Sequence, residues 1–141
     1  MKAEFAEDIG HYWKTSKSSP DKWIDQAKSQ IEQLGGEVLA EAFGSSGGKE
    51  AYMLAFEIEG SRFKVVWPVL PSKVGNHGAA RRQAATMLFH DIKAKSISAA
   101  VKGADVSFLE YKLLPDGRVA SEVAAPELAN SFPLLPGRTS G

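Results

Sequence analysis

The chain contains no cysteine. That excludes a disulfide framework and thiolate metal sites, and it fits a reducing compartment. No run of about 18 apolar residues occurs, so no membrane-spanning helix is expected. Residues 1–14 scatter charges among their apolar residues and hold no apolar stretch of the kind a secretory signal needs, so the expected location is cytoplasmic. There is no internal repeat. Acids are nearly missing from one region: residues 61–102 carry eight Lys/Arg against Asp91 alone. Hydrophobic residues make up 43% of the 141 positions, enough to build one core without staples.

The overall charge is zero, which conceals that imbalance. Residues 1–60 carry six Lys/Arg against eleven Asp/Glu, and residues 103–141 carry three against five. The basic middle must pair with acids from elsewhere in the chain, stay solvated, or meet an external anion. A one-sided basic face is the usual footprint of a nucleic-acid binder.

Patterning divides the chain into an N-terminal arm (1–18), a single α+β domain (19–123) and a Pro/Gly-containing tail (124–141). In the arm, Phe5, Ile9, Tyr12 and Trp13 form an apolar stripe at helical spacing, suited to docking on the domain or to meeting a partner. Ser19 as cap, Pro20 at the first helical position and early Asp21 and Asp25 start a helix with Trp23, Ile24, Ala27, Ile31 and Leu34 on one face. Gly35-Gly36 stops it. Strands are expected over 37–43, 50–59 and 61–67, joined by Gly44-Ser45-Ser46-Gly47-Gly48 and by Glu59-Gly60-Ser61 as an antiparallel meander. Tyr52, Leu54, Phe56 and Ile58 alternate on one side of the second strand, and Phe63, Val65 and Trp67 on one side of the third. After a Pro/Gly loop (68–78), a long helix is expected over 79–101. A strand over 106–114 follows, then a tight turn at Pro115-Asp116-Gly117-Arg118 and a short returning strand to 123. The expected fold is an antiparallel three- to five-stranded sheet with helices on one face, in the order α-β-β-β-α-β(-β). In the tail, Pro133-Leu134-Leu135-Pro136 reads as an extended segment packing its leucines on the body, or as a PxxP ligand.

The usual signatures of catalysis are missing. A Walker loop needs Gly five residues before the Gly of Gly48-Lys49, where Phe43 stands, and Ser or Thr after the lysine, where Glu50 stands. His11, His77 and His90 have no i, i+4 pairing for a metal. No G-x-S-x-G occurs, and neighbours such as His90-Asp91 point about 100° apart on a helix. A non-enzyme is expected, with no catalytic residues, metal site or cofactor.

The informative stretch is 75–95. A glycine-containing loop opens into a helix whose start is expected to carry Arg81 and Arg82, joining guanidinium groups to free N–H groups and the positive dipole end. Arg82, Thr86, His90 and Lys93 fall at i, i+4, i+8 and i+11 on one side. Arg62 and Lys64 lie on the strand before, opposite Phe63 and Trp67, and Lys73 lies in the connecting loop. A groove between that strand, loop and helix is expected to gather Arg62, Lys64, Lys73, His77, Arg81, Arg82, Lys93 and Lys95 along a phosphate backbone, with Trp67 and Phe89 as base-stacking surfaces. The bland alternatives are a solvated face neutralised by the acidic N-terminal part, and Trp67 as a cap on the core.

Three stretches resemble a family of uncharacterised phage and prophage proteins: the basic helix ending Ile92-Lys93-Ala94-Lys95, the run 108–118 (FLEYKLLPDGR), and the closing Pro126-Glu127-Leu128-Ala129 with Leu134-Leu135-Pro136-Gly137. The element order is also similar to the single-strand annealing proteins of phages. That resemblance implies a basic sheet–helix groove for single-stranded DNA, homo-oligomers and a host-cytoplasmic setting. The double-stranded RNA-binding domain shares the α-β-β-β-α order, with Gly78 and Arg81-Arg82 similar to the start of its second helix. It normally ends after that helix. The expected function is single-stranded DNA binding or annealing; the alternative is a protein-interaction module acting on a host protein or an assembly partner.

Overall fold

The computed structural model describes residues 2–12, 18–115 and 118–119. The elements are α1 (Ala6–Ile9), α2 (Pro20–Gln33), β1 (Glu37–Ser46), β2 (Lys49–Ile58), β3 (Ser61–Val69), α3 (His77–Lys102) and α4 (Ala104–Ser107), then a 3₁₀ turn at Leu109–Tyr111. The three strands form an antiparallel meander in the order β1-β2-β3, and the fold is α+β.

Both hairpins close with two-residue turns whose residues take positive φ: Gly47 and Gly48 at 59° and 78°, Glu59 and Gly60 at 52° and 84°. Such turns match the twist of the strands they join. They fix Tyr52 opposite Trp67, Leu54 opposite Val65 and Phe56 opposite Phe63. That face meets Ile24, Ala27 and Ile31 of α2 and Ala84, Ala85, Leu88, Phe89 and Ile92 of α3 in one core. Its centre is aromatic: Phe56, Phe63 and Phe108 lie with ring centroids 5.3–5.6 Å apart. The opposite face of the sheet carries Ala51, Met53, Ala55, Arg62, Lys64 and Val66, and no helix among the described residues lies over it.

Two expectations need correcting. Helix α3 begins at His77, not at 79, because the Asn76 side chain accepts a bond from the Ala79 N–H (3.2 Å) and caps it. Arg81 and Arg82 therefore sit a full turn in, past the free N–H groups. The strand expected over 106–114 is instead α4 and the 3₁₀ turn. Ala104, Phe108 and Tyr111 are the buried residues there, at i, i+4 and i+7, which is helical spacing. Backbone pairing with the sheet begins only at Lys112, which bridges to Phe63, and Leu113 bridges separately to Val119. Part of the turn at 115–118, the returning strand beyond Val119, Trp13 and the tail lie outside the described residues.

The arm is seated on the domain. The Ala6 N–H donates to Pro71 O (2.9 Å), and Ala6 is fully buried. Gln83 of α3, itself buried, donates from its Nε2 to both Ala6 O and His11 O at 2.9 Å. Glu7 accepts from the Ser72 hydroxyl (2.8 Å) and the Lys73 N–H (3.0 Å), tying the 70–73 loop down.

Candidate nucleic-acid interface

Four of the eight expected phosphate contacts are held by carboxylates of the same chain. Arg81 grips Glu50 with Nε at 3.0 Å and Nη2 at 2.6 Å. The Arg81 guanidinium drives the Glu50 carboxyl below its ordinary range, and Glu50 in turn raises the Arg81 guanidinium. Lys73 Nζ lies 2.7 Å from Asp8, whose carboxyl it lowers chiefly through that hydrogen bond. Lys95 sits between Glu110 (2.7 Å) and Asp91 (3.1 Å). Burial alone would depress its ammonium, but the two carboxylates keep it raised. Asp91 also accepts from the Tyr111 hydroxyl, and burial followed by that bond pushes the Tyr111 phenol well above its usual value. Arg62 faces Glu57 across the strand pair at 3.5 Å, on the uncovered face of the sheet.

The remaining cations do not converge. Lys64 stands on the uncovered sheet face opposite Ala55. His77 is exposed at the first position of α3, near enough to Glu50 for its charge to lower that carboxyl further. Arg82 and Lys93 belong to the helix layer on the far side of the sheet. The expected groove between β3, its loop and α3 therefore does not collect positive charge. Its acids were hard to foresee, because Glu50 lies 31 residues from Arg81 and Asp8 lies 65 from Lys73.

The expected stacking residues also separate. Phe89 is 6% exposed and belongs to the core, with its ring 5.3 Å from that of Trp23. It has no free face for a base. Trp67 is half-buried and walls an apolar cleft of about 340 Å³ with Val66, Met87, Gln83 and Tyr111. No unpaired Lys or Arg among the described residues lines that cleft.

A different arrangement survives along α3, on the side that meets Trp23 of α2 and the arm. Arg82 and Lys93 have no carboxylate within ion-pair distance among the described residues. Eleven residues at about 1.5 Å each set them roughly 16 Å apart along the helix axis. Between them, Tyr12 of the arm stacks on His90, with centroids 5.0 Å apart and planes 16° from parallel. Trp23 approaches the same imidazole at 6.0 Å. Tyr12, Trp23 and His90 are each half-buried, so each keeps some exposed surface. Lys93 Nζ lies 5.9 Å from the Phe89 ring. Thr86 departs from the expected stripe: it is 1% exposed and returns its hydroxyl to Arg82 O at 2.7 Å. Sequence spacing found Arg82, His90 and Lys93, but it gave no sign that the arm would fold back and set Tyr12 on His90.

Among the described residues no helix is long and apolar enough to cross a membrane. None of their His, Asp and Glu residues gather into a group able to hold a metal ion. No family model, curated protein or solved structure matches the chain.

Proposed function

We propose that the protein binds single-stranded nucleic acid, DNA in the favoured form, along α3 where it meets the arm and Trp23 of α2. The observation that carries this reading is the pairing of unquenched charge with accessible rings. Arg82 and Lys93 flank the Tyr12–His90 stack and Trp23. Two cations reach phosphates and the rings between them offer faces to unstacked bases, which is how sequence-tolerant single-strand binding works. A duplex offers no free base faces, so the aromatic cluster favours single strands. Annealing of complementary strands is compatible with this surface and needs no cofactor, because base pairing supplies the driving force. The Arg62–Lys64–Lys73–Arg81–Lys95 group is left out of the binding surface, since all but Lys64 are held by carboxylates and Lys64 faces the other way.

The test is fluorescence anisotropy with a labelled single-stranded oligonucleotide at low salt. Binding that weakens when Arg82 and Lys93 are both replaced by alanine supports the reading, and absence of binding by the unaltered protein ends it. The second reading, a protein-interaction module, is favoured by a separate observation: among the described residues, the outer edge of β1 has no strand beside it.

A further inference from the structure

The two edges of the sheet are treated differently. The β3 edge is guarded. Lys112 and Leu113 cover its start, with the Leu113 N–H donating to Arg62 O at 2.8 Å, and Lys64 and Pro68 stand along the rest. Charge, proline and a covering segment are the usual means of keeping a second strand away. The β1 edge has a bulge at Leu39 and the acids Glu37 and Glu41, but from Ala42 to Ser45 it has no charge, no proline and no bulge. It is exposed throughout that run, and among the described residues β2 is its only neighbour.

The register tells which backbone groups this edge presents. The pairs that flank two-residue turns, Ser46 with Lys49 and Ile58 with Ser61, exchange hydrogen bonds. Counting back by twos, Gly44, Ala42 and Ala40 aim their N–H and C=O groups at β2. The bond from Leu113 to Arg62 O independently gives the same alternation from the other edge. Glu41, Phe43 and Ser45 therefore aim theirs outward.

We infer that β1 pairs antiparallel with β1 of a second copy of this chain, on a two-fold axis passing through Phe43. In that register Phe43 exchanges backbone bonds with the second copy's Phe43, and Glu41 lies opposite the second copy's Ser45. Ala42 lies opposite the second copy's Gly44. No like charges face each other, and the small residues let the strands close. Centring the axis on Glu41 instead would oppose two carboxylates. The side chains agree. Phe43 is 45% exposed, although it stands on the helix-bearing face, with its ring 4.8 Å from Tyr52 and the Arg81 guanidinium 5.4 Å away. Across the axis it gains an aromatic cross-strand partner. The contact is isologous and closes at two copies, giving one continuous sheet with both helix layers on the same side. This inference is independent of the nucleic-acid reading.

The experiment is sedimentation equilibrium or light scattering on the full chain across a dilution series. The expected mass is twice 15.2 kDa at high concentration, falling toward 15.2 kDa on dilution. Ser45→Pro removes one outward N–H and leaves the ladder to β2 intact, so it should give 15.2 kDa at every concentration with an unchanged far-ultraviolet circular dichroism spectrum. Should that variant not fold, Phe43→Lys is read in its place; it sets two ammonium groups on the axis and should also be monomeric. An unaltered protein that stays at 15.2 kDa throughout overturns the inference, and so does a dimer that survives in the folded variant.

Discussion

Arg81 closes on Glu50 with two hydrogen bonds, while Arg82, the next residue, meets no carboxylate among the described residues. A step of one residue, about 100° around the helix, thus separates a structural arginine from a free one. Arg81→Ala should lower the melting temperature by a few degrees and leave affinity for a single-stranded oligonucleotide unchanged. Arg82→Ala should do the reverse. Paired thermal melts and anisotropy titrations check both, and equal loss of affinity in the two variants would falsify the division.

Salt dependence gives a count of phosphate contacts. On single strands the log–log slope of affinity against salt is about −0.7 per neutralised phosphate, so removing Arg82 and Lys93 together should make it shallower by roughly 1.4. Lys73→Ala and Lys95→Ala should leave the slope alone, because Asp8, Asp91 and Glu110 already hold those ammonium groups. Titrations at several salt concentrations measure this directly.

The aromatic residues divide between binding and stability. Tyr12→Ala should weaken oligonucleotide binding by about 1–3 kcal/mol through lost stacking, without unfolding the domain. Phe89→Ala opens a cavity in the core and should cost about 3–5 kcal/mol of stability. Chemical denaturation of both variants separates the two effects.

Acid should act through the paired carboxylates. The Arg81 guanidinium lowers Glu50, the Lys73 ammonium lowers Asp8, and a bond from Ser61 followed by the Lys112 charge lowers Asp105. Groups depressed in the folded state stabilise it fully above their unfolded values and lose that contribution as pH falls through their folded ones. The melting temperature should hold steady from neutral pH down to the ordinary carboxylate range and drop below it. Glu50→Gln should flatten that drop. A melting temperature already falling between neutral pH and the top of that range would contradict the assignment.

Gly36 is a packing requirement. A Cβ there would lie 2.8 Å from Ile31 Cγ2, 2.8 Å from Ile58 Cγ1 and 3.0 Å from Glu57 O. Gly36→Ala should destabilise by about 1–3 kcal/mol, as overpacking does, whereas adding a methyl at Gly44 meets open space and should cost less. Urea midpoints for the two variants give the comparison.

The sheet was legible because its residues alternate. Tyr52, Leu54, Phe56 and Ile58 are all buried, as a period of two demands. Helix α2 was legible from Ser19, Pro20 and its apolar face. The region from 104 to 111 was misread because Val106 and Phe108 look like alternating strand residues. Val106 is in fact 62% exposed, and the informative spacing was Ala104, Phe108, Tyr111. The charges in the middle of the chain were visible, but their partners were not. Of the pairs, only Asp91 with Lys95 is close enough in sequence to be read from a helix. Arg62 with Glu57 follows from the β2–β3 register, while the pairs of Arg81, of Lys73 and of Lys95 with Glu110 depend on where β2, the arm and the 3₁₀ turn come to rest, which is a property of the folded molecule.

The seating of the arm sets an order of events during synthesis. Residues 5–12 leave the ribosome well before residues 77–102, yet Ala6 and His11 are held by Gln83, and Ala6 also by Pro71. A domain made at about 5–20 residues per second must leave its earliest segment waiting for several seconds, with Phe5, Ile9 and Tyr12 undocked. That interval is a window in which a chaperone can hold the nascent chain, and it closes when the middle of α3 emerges.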